Sequence, residues 1–315
     1  MVLATKVGSF LKNSGTAATT QLISGLTFTT KALILWSNQA VNASTFEDKY
    51  CFNIGFCATA GVSTGFSICS MSDSNLATSD TSRISARNLL VAMSSAASNN
   101  AVISVRCDLS SVNATSFTLN YTRNDASTWI INYMAIGGTD LTTIQASTLT
   151  ISTSVTSVQI TGLTATADAV MFITANQAAI ATGAGAHVGV GFATSSNARY
   201  SMYAVSENTR ATMDTWIYNT STQCIVGGIQ TTGSVDFGVD WISSNATSFT
   251  LDIENAAAGG VAVAWLAFTG GRYQADSFLS ISTAATNVVG GQTFTGNAVL
   301  FAGIQLSTNA VLGPD

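Results

Sequence analysis

Proline is almost missing: the 315 residues hold one, Pro314. Disordered Ser/Thr-rich linkers carry more proline and fewer large apolar side chains, so the abundant Ser and Thr read here as strand and turn residues. Charge is scarce as well, at 9% of residues against about 25% in an average soluble protein. The lysines (Lys6, Lys12, Lys31 and Lys49) are scattered, and no basic cluster concentrates a positive field, so nucleic acid is not an expected partner. The N-terminus lacks a basic region followed by an apolar stretch, and no secretory signal is read there. The longest apolar runs, such as 261–268, are too short to span a bilayer as a helix, so no membrane insertion is expected.

Histidine is nearly absent too. The single one, His187, sits in a loop-to-strand context with no counterpart in the related part of the chain, and reads as a loop or edge residue. No paired Cys-x-x-Cys accompanies it, so no metal site is expected. The cysteines are Cys51, Cys57, Cys69, Cys107 and Cys224, an odd number with four of the five in the first half. That distribution reads as buried free thiols rather than a disulfide framework. No Gly-rich stretch carries the Lys and following helix of a phosphate loop, and no cofactor is expected.

What is present is an internal repeat. The segment 113–119, Asn-Ala-Thr-Ser-Phe-Thr-Leu, recurs letter for letter at 245–251, and Asp108 falls on Asp240 at the same spacing. Two further blocks repeat in the same order: 24–36 resembles 161–173, and 53–58 resembles 189–194. The first block returns a third time at 291–301. The chain therefore divides into module one (1–140), module two (141–272) and a segment (273–315) that is either the start of a third module or a strand-exchange element. A fraction of a β-domain cannot bury its own apolar face, so the sequence either continues in the natural protein or lends these strands to a neighbour.

The modules read as short strands. Phe117, Leu119 and Tyr121 alternate on one face, as do Phe249, Leu251 and Ile253. Continuous apolar runs at 32–36, 102–106 and 129–135 read as central strands, and Asn- and Gly-rich pairs mark the turns. A helical turn is expected between 82 and 93. The fold class is all-β: two tandem β-sandwich, jelly-roll-like modules of eight or nine strands each, plus the start of a third.

Candidate chemistry is thin. Asp252 and Glu254 share the solvent side of one strand, and Asp236 and Asp240 share a strand face, but the first pair is Asn120 and Thr122 in module one. They read as solvated surface rather than a glycosidase pair, and no catalytic residue is assigned. Asp108 and Asp240 do recur, each ahead of a Ser-containing turn. They read as structural carboxylates accepting backbone N–H groups, with a calcium ligand as the alternative. Trp36, Trp129 and Trp265 lie in apolar strands and read as core. Trp216 and Trp241 stand beside polar residues and read as core or interface anchors, or as a stacking platform for a glycan.

The block 24–36, Ser-Gly-Leu-Thr-Phe-Thr-Thr-Lys-Ala-Leu-Ile-Leu-Trp, together with 77–83, 116–121 and 131–137, resembles modules of tailed-bacteriophage virion structural proteins, associated with capsid or tail. Module two departs at 205–210, Val-Ser-Glu-Asn-Thr-Arg, where the Ala-Thr-Ser-Asp-Thr pattern is lost. The resemblance implies a non-enzymatic virion surface protein, a head decoration or fibre component, made in the host cytoplasm. It would bind its own copies and other virion proteins. A receptor- or glycan-binding adhesin of a tail fibre is the alternative, with host surface glycan as partner. A surface that is polar but weakly charged, net −5, suits such assembly.

Overall fold

A computed structural model describes residues 3–15, 19–40, 50–60, 65–73, 80–95, 102–178, 181–209, 215–277 and 298–300. Among the described residues there is no helix, and the fold is all-β. Module one contributes β1 (Leu3–Leu11), β2 (Thr19–Ser24), β3 (Thr30–Ser37), β4 (Tyr50–Ala58), β5 (Phe66–Asp73), β6 (Asp80–Ala86), β7 (Leu90–Ser95), β8 (Val102–Val112), β9 (Ser116–Arg123) and β10 (Ile130–Gly138). Module two contributes β11 (Thr143–Ile151), β12 (Ser157–Thr161), β13 (Ala169–Thr174), β14 (Thr182–Ala184), β15 (Ala186–Ser195), β16 (Ala198–Ser206), β17 (Thr215–Thr220), β18 (Ile225–Gly228), β19 (Val235–Asn245), β20 (Ser248–Asn255) and β21 (Val261–Thr269).

The strands form four antiparallel sheets. Sheet A runs β1-β10-β3-β4-β5-β6-β14 and sheet B runs β2-β9-β8-β7; sheet C runs β11-β21-β13-β15-β16-β17 and sheet D runs β12-β20-β19-β18. Once β14 is set aside, the two modules have the same strand order in both sheets. In each, the first two strands pair with the last two, a jelly-roll-like closure, and the middle of the larger sheet is a meander. The duplication seen in the letters is thus a duplication of topology.

The repeated heptad encodes a hairpin. The Asn113 side-chain oxygen accepts the Thr115 N–H at 2.9 Å and the Ser116 hydroxyl at 3.0 Å. The Asn245 oxygen accepts the Thr247 and Ser248 N–H groups, both at 3.0 Å. Each Asn therefore mimics a turn of backbone and hands the chain to β9 or β20. The alternating Phe, Leu and Tyr or Ile of those strands then face inward and are fully buried.

Three main cores result. Leu33 and Leu35 of β3 pack with Leu119, Tyr121 and Trp129 between sheets A and B. Phe172, Trp241, Phe249 and Trp265 anchor the equivalent core between sheets C and D. The third core lies between modules: Ile34, Phe56 and Met134 of sheet A pack on Met171, Val190 and Leu266 of sheet C. The layers stack in the order B, A, C, D. Strand β3 is apolar on both faces because one face meets sheet B and the other meets sheet C, so its run is continuous rather than alternating. Tyr273, Ala298 and Leu300 also pack against the inter-module core; the rest of the third repeat block at 291–301 and most of 273–315 lie outside the described residues.

Two features differ from the sequence expectation. The segment 82–93 is not helical: β6 leaves sheet A, bends at 87–89 and enters sheet B as β7. Ile84 and Ala86 then meet Val91 and Met93 across the bend, so their uneven apolar spacing marks a change of sheet. Among the described residues the modules hold ten and eleven strands, above the eight or nine expected.

Candidate functional site

Three buried polar constellations and one surface cluster hold the chemistry-bearing side chains. The first straddles the module junction. Strand β14 leaves its own module and pairs with β6, with Gly183 opposite Arg83. The Arg83 guanidinium bonds the Ala184 carbonyl, and the Thr81 N–H donates to the Asn208 oxygen at 2.7 Å. Beneath this crossing lies His187, 3% exposed. Its Nδ1 meets the Tyr203 hydroxyl and its Nε2 lies 3.2 Å from the Gln230 oxygen. Nε2–H donates to the Gln230 oxygen and Nδ1 faces the Tyr203 hydroxyl, which also reaches the Gly228 carbonyl at 3.4 Å, and burial favours the neutral ring. Burial, reinforced by the Arg83 cation, holds the His187 pKa well below its usual value. Burial pushes the Tyr203 phenol up. A catalytic histidine needs a free nitrogen and an orienting carboxylate. Here a phenol and an amide occupy the two nitrogens, and the cluster works as a latch between β6, β15 and β16.

The second constellation surrounds Lys12, whose side chain is fully buried. Its Nζ donates to the Asn13 carbonyl at 3.0 Å, the Asn124 side-chain oxygen at 2.6 Å and the Asp125 carbonyl at 3.0 Å. The Asp125 carboxylate lies 3.3 Å away, and the Trp129 ring sits 5.9 Å from the nitrogen. Burial lowers the Lys12 pKa, with Asp125 opposing the shift. Sequence reasoning missed this site. The signal was present as a departure from the repeat. The registers pair Phe10 with Ile131 and Leu149 with Val263, so Lys12 corresponds to Ile151, Trp129 to Val261, and Asn124 and Asp125 to Ala256 and Ala257.

The third group is the thiols. All five cysteines are free and buried. Cys51 and Cys57 point to one face of β4, as their spacing requires, and Cys51 Sγ lies 3.7 Å from Cys69 Sγ. Burial pushes the Cys57 thiol up to about 12, which suppresses thiolate chemistry.

The surface cluster contains Asp240, paired across β19 and β20 with Asp252. Arg199 forms an ion pair with Asp240 and donates a second bond at 2.9 Å. The Trp241 N–H donates to Asp240 at 2.6 Å. Partial burial raises the Asp240 pKa, and Arg199 opposes that rise. Asp252 accepts the Ser157 hydroxyl at 3.2 Å, and Glu254 accepts the Gln223 amide at 3.0 Å. Asp108 accepts the Leu89 N–H at 3.2 Å and the Asn88 amide at 2.8 Å. Both recurring aspartates therefore accept backbone N–H groups. They do so from within β8 and β19, well before the turns, so their position differs from the turn-initiating one expected. Asp236 accepts the Asn176 amide at 3.2 Å and the Ala258 N–H at 3.2 Å. Among the described residues no three His, Cys, Asp or Glu side chains gather closely enough to hold a metal ion.

The glycan-stacking alternative for Trp216 and Trp241 is corrected. Trp241 is 3% exposed and stacks on Phe249 at 5.2 Å. Trp216 is 5% exposed, packed with Tyr203, Val205 and Val226, and Gly233 lies against its ring where a Cβ would fall 2.1 Å from the indole. Neither ring offers a face to a sugar. The cleft beside Trp216 has a volume of about 10 Å³, as does a second one near Ile173, room for roughly one water molecule each.

No family model and no curated protein matches the chain.

Proposed function

We propose that this chain is a non-enzymatic surface structural protein of a tailed-phage particle, a head decoration or fibre component, that associates with its own copies and docks on other virion proteins. The observation that carries the reading is the inter-module core. It joins two sandwiches into one four-layer block with a packed interior, and the clefts beside Trp216 and Ile173 each admit about a water. Such a block works through its outside. That outside is nearly uncharged, and it carries strand edges that can template pairing. Edge strand β1 exposes Val7 and Leu11 on one face, and edge strand β2 exposes Leu22. The resemblance of 24–36 to virion modules is the support for the proposed location. The glycan-binding alternative loses the two aromatic anchors on which it stood.

Sedimentation of the purified full chain tests the self-association. The expected result is a discrete multiple of 32.4 kDa. Replacing both Val7 and Leu11 by Lys is expected to weaken association about tenfold, the effect of roughly 1.4 kcal/mol. A monomer at every concentration overturns this part of the proposal.

A further inference from the structure

The Lys12 site has a geometry that its structural role does not require. In module two the same place in the fold is filled by Ile151, Ala256, Ala257 and Val261, all packed into plain apolar core. The sandwich therefore closes there without a cation, an amide or an acid. Module one instead buries an ammonium group, which is costly unless every proton finds a partner, and gathers Lys12, Asn124, Asp125 and Trp129 around it. All of them depart from the module pattern together.

What they form is an amine held against a carboxamide, with an acid beside both. The Lys12 Nζ sits 2.6 Å from the Asn124 Oδ1. The same oxygen accepts the Asp125 backbone N–H at 3.1 Å, a donor aimed where negative charge would develop on that oxygen. The Asn124 amide nitrogen is held by the Asn13 carbonyl at 3.1 Å, and lies 3.5 Å from the Thr19 hydroxyl, which fixes the plane of the amide. The Asp125 carboxylate is 3.3 Å from Nζ and 29% exposed, so it can exchange protons and lies open to solvent. The reacting groups are thus already in contact, where proximity contributes most to an acyl transfer.

We propose that Lys12 and Asn124 join in an intramolecular isopeptide bond, with Asp125 carrying the protons. Asp125 takes a proton from the Lys12 ammonium, and the freed amine attacks the Asn124 Cγ. The new Nζ–Cγ bond forms as the oxygen takes up charge against the Asp125 N–H. Asp125 then protonates Nδ2 and removes a second proton from Nζ. The Cγ–Nδ2 bond breaks, the carbonyl re-forms and ammonia leaves, taking the last proton as ammonium. Nothing is oxidised or reduced, and no co-reactant is needed. Burial, which lowers the Lys12 pKa, favours the neutral amine that the attack requires. The bond ties the end of β1, an edge strand, to the loop between β9 and β10, across 112 residues of sequence. It closes a covalent loop around module one that module two lacks. The inference stands on this geometry alone and does not depend on the proposed virion location.

Mass spectrometry of the full-length chain, purified and then denatured, tests it. The expected intact mass is lower than the sequence mass by one ammonia. Trypsin is expected not to cut after Lys12, and to release the Lys12-containing peptide joined to the peptide that begins at Asn124. Lys12→Met, which mimics the apolar residue of module two, is expected to fold by circular dichroism and show the full sequence mass. Asp125→Asn is expected to fold and stay uncrosslinked. A native chain with the full sequence mass and normal cleavage after Lys12, even after prolonged warm incubation, overturns the proposal. So does an ammonia loss that persists in Lys12→Met, which would place it at a different asparagine or glutamine.

Discussion

At the scale of single residues, the fold leans on groups whose neighbours leave them one state. His187 is the clearest. It is neutral in the folded chain, and its unfolded value is about 6.5. Above that pH both states are neutral, and the contribution to stability is whole. Below it the unfolded chain takes up a proton that the folded chain refuses, so stability falls as pH drops towards the depressed folded value. The slope can reach about 1.4 kcal/mol per pH unit from this one group. Urea unfolding at a series of pH values below neutrality checks this: His187→Gln is expected to flatten that limb, and an unchanged slope contradicts it. Gly55 and Gly191 are similarly constrained. They are equivalent positions in β4 and β15, and an added Cβ would fall 2.1 Å from the Leu89 carbonyl oxygen and 1.8 Å from the Cys224 carbonyl oxygen. Gly55→Ala and Gly191→Ala are each expected to cost about 1–3 kcal/mol or more, read from the urea midpoint. The sequence exposed these glycines through the repeat, but not their reason, because the chain that crosses them comes from the other sheet.

At the scale of elements, much of the fold was legible and the misses have causes. The identical heptads read as strands and proved to be the same Asx-turn hairpin twice. Each Asn side chain accepts at least two bonds, so Asn113→Ala and Asn245→Ala are expected to destabilise by about 1–3 kcal/mol each, at roughly 0.5–1.5 kcal/mol per lost bond. Matching losses in thermal unfolding would confirm that the two hairpins are equivalent. The bend at 87–89 hid from periodicity because a strand that changes sheets changes phase, and Ala86, Leu89, Leu90 and Met93 then fall at i, i+3, i+4 and i+7 as on a helix. Strand β14, three residues long, carries no apolar pattern of its own and is held by pairing with β6. The Lys12 constellation was missed for a related reason: Lys12 lies far in sequence from Asn124, Asp125 and Trp129, and the registers of β1 and β11 show which residue it replaces.

At the scale of the whole molecule, the third core changes what the two modules are. Tandem sandwiches on a linker would unfold separately, whereas sheets A and C share Phe56, Met171 and Leu266 in one interior. Phe56→Ala is expected to cost about 3–5 kcal/mol and to shift both modules together in a single calorimetric transition. Two separated transitions in the unsubstituted chain would contradict a shared core. The cores inside each sandwich seal the cysteines, so all five thiols are expected to resist a thiol reagent in the native chain and to react once it is unfolded. A solid, weakly charged block with apolar edge strands is suited to being a part of something larger. That claim is tested most directly by negative-stain microscopy of phage particles isolated from cells that produce this chain, labelled with an antibody against it. The account predicts label at regular positions on the head surface or along a fibre. Particles that stay unlabelled while the protein is found free would contradict it.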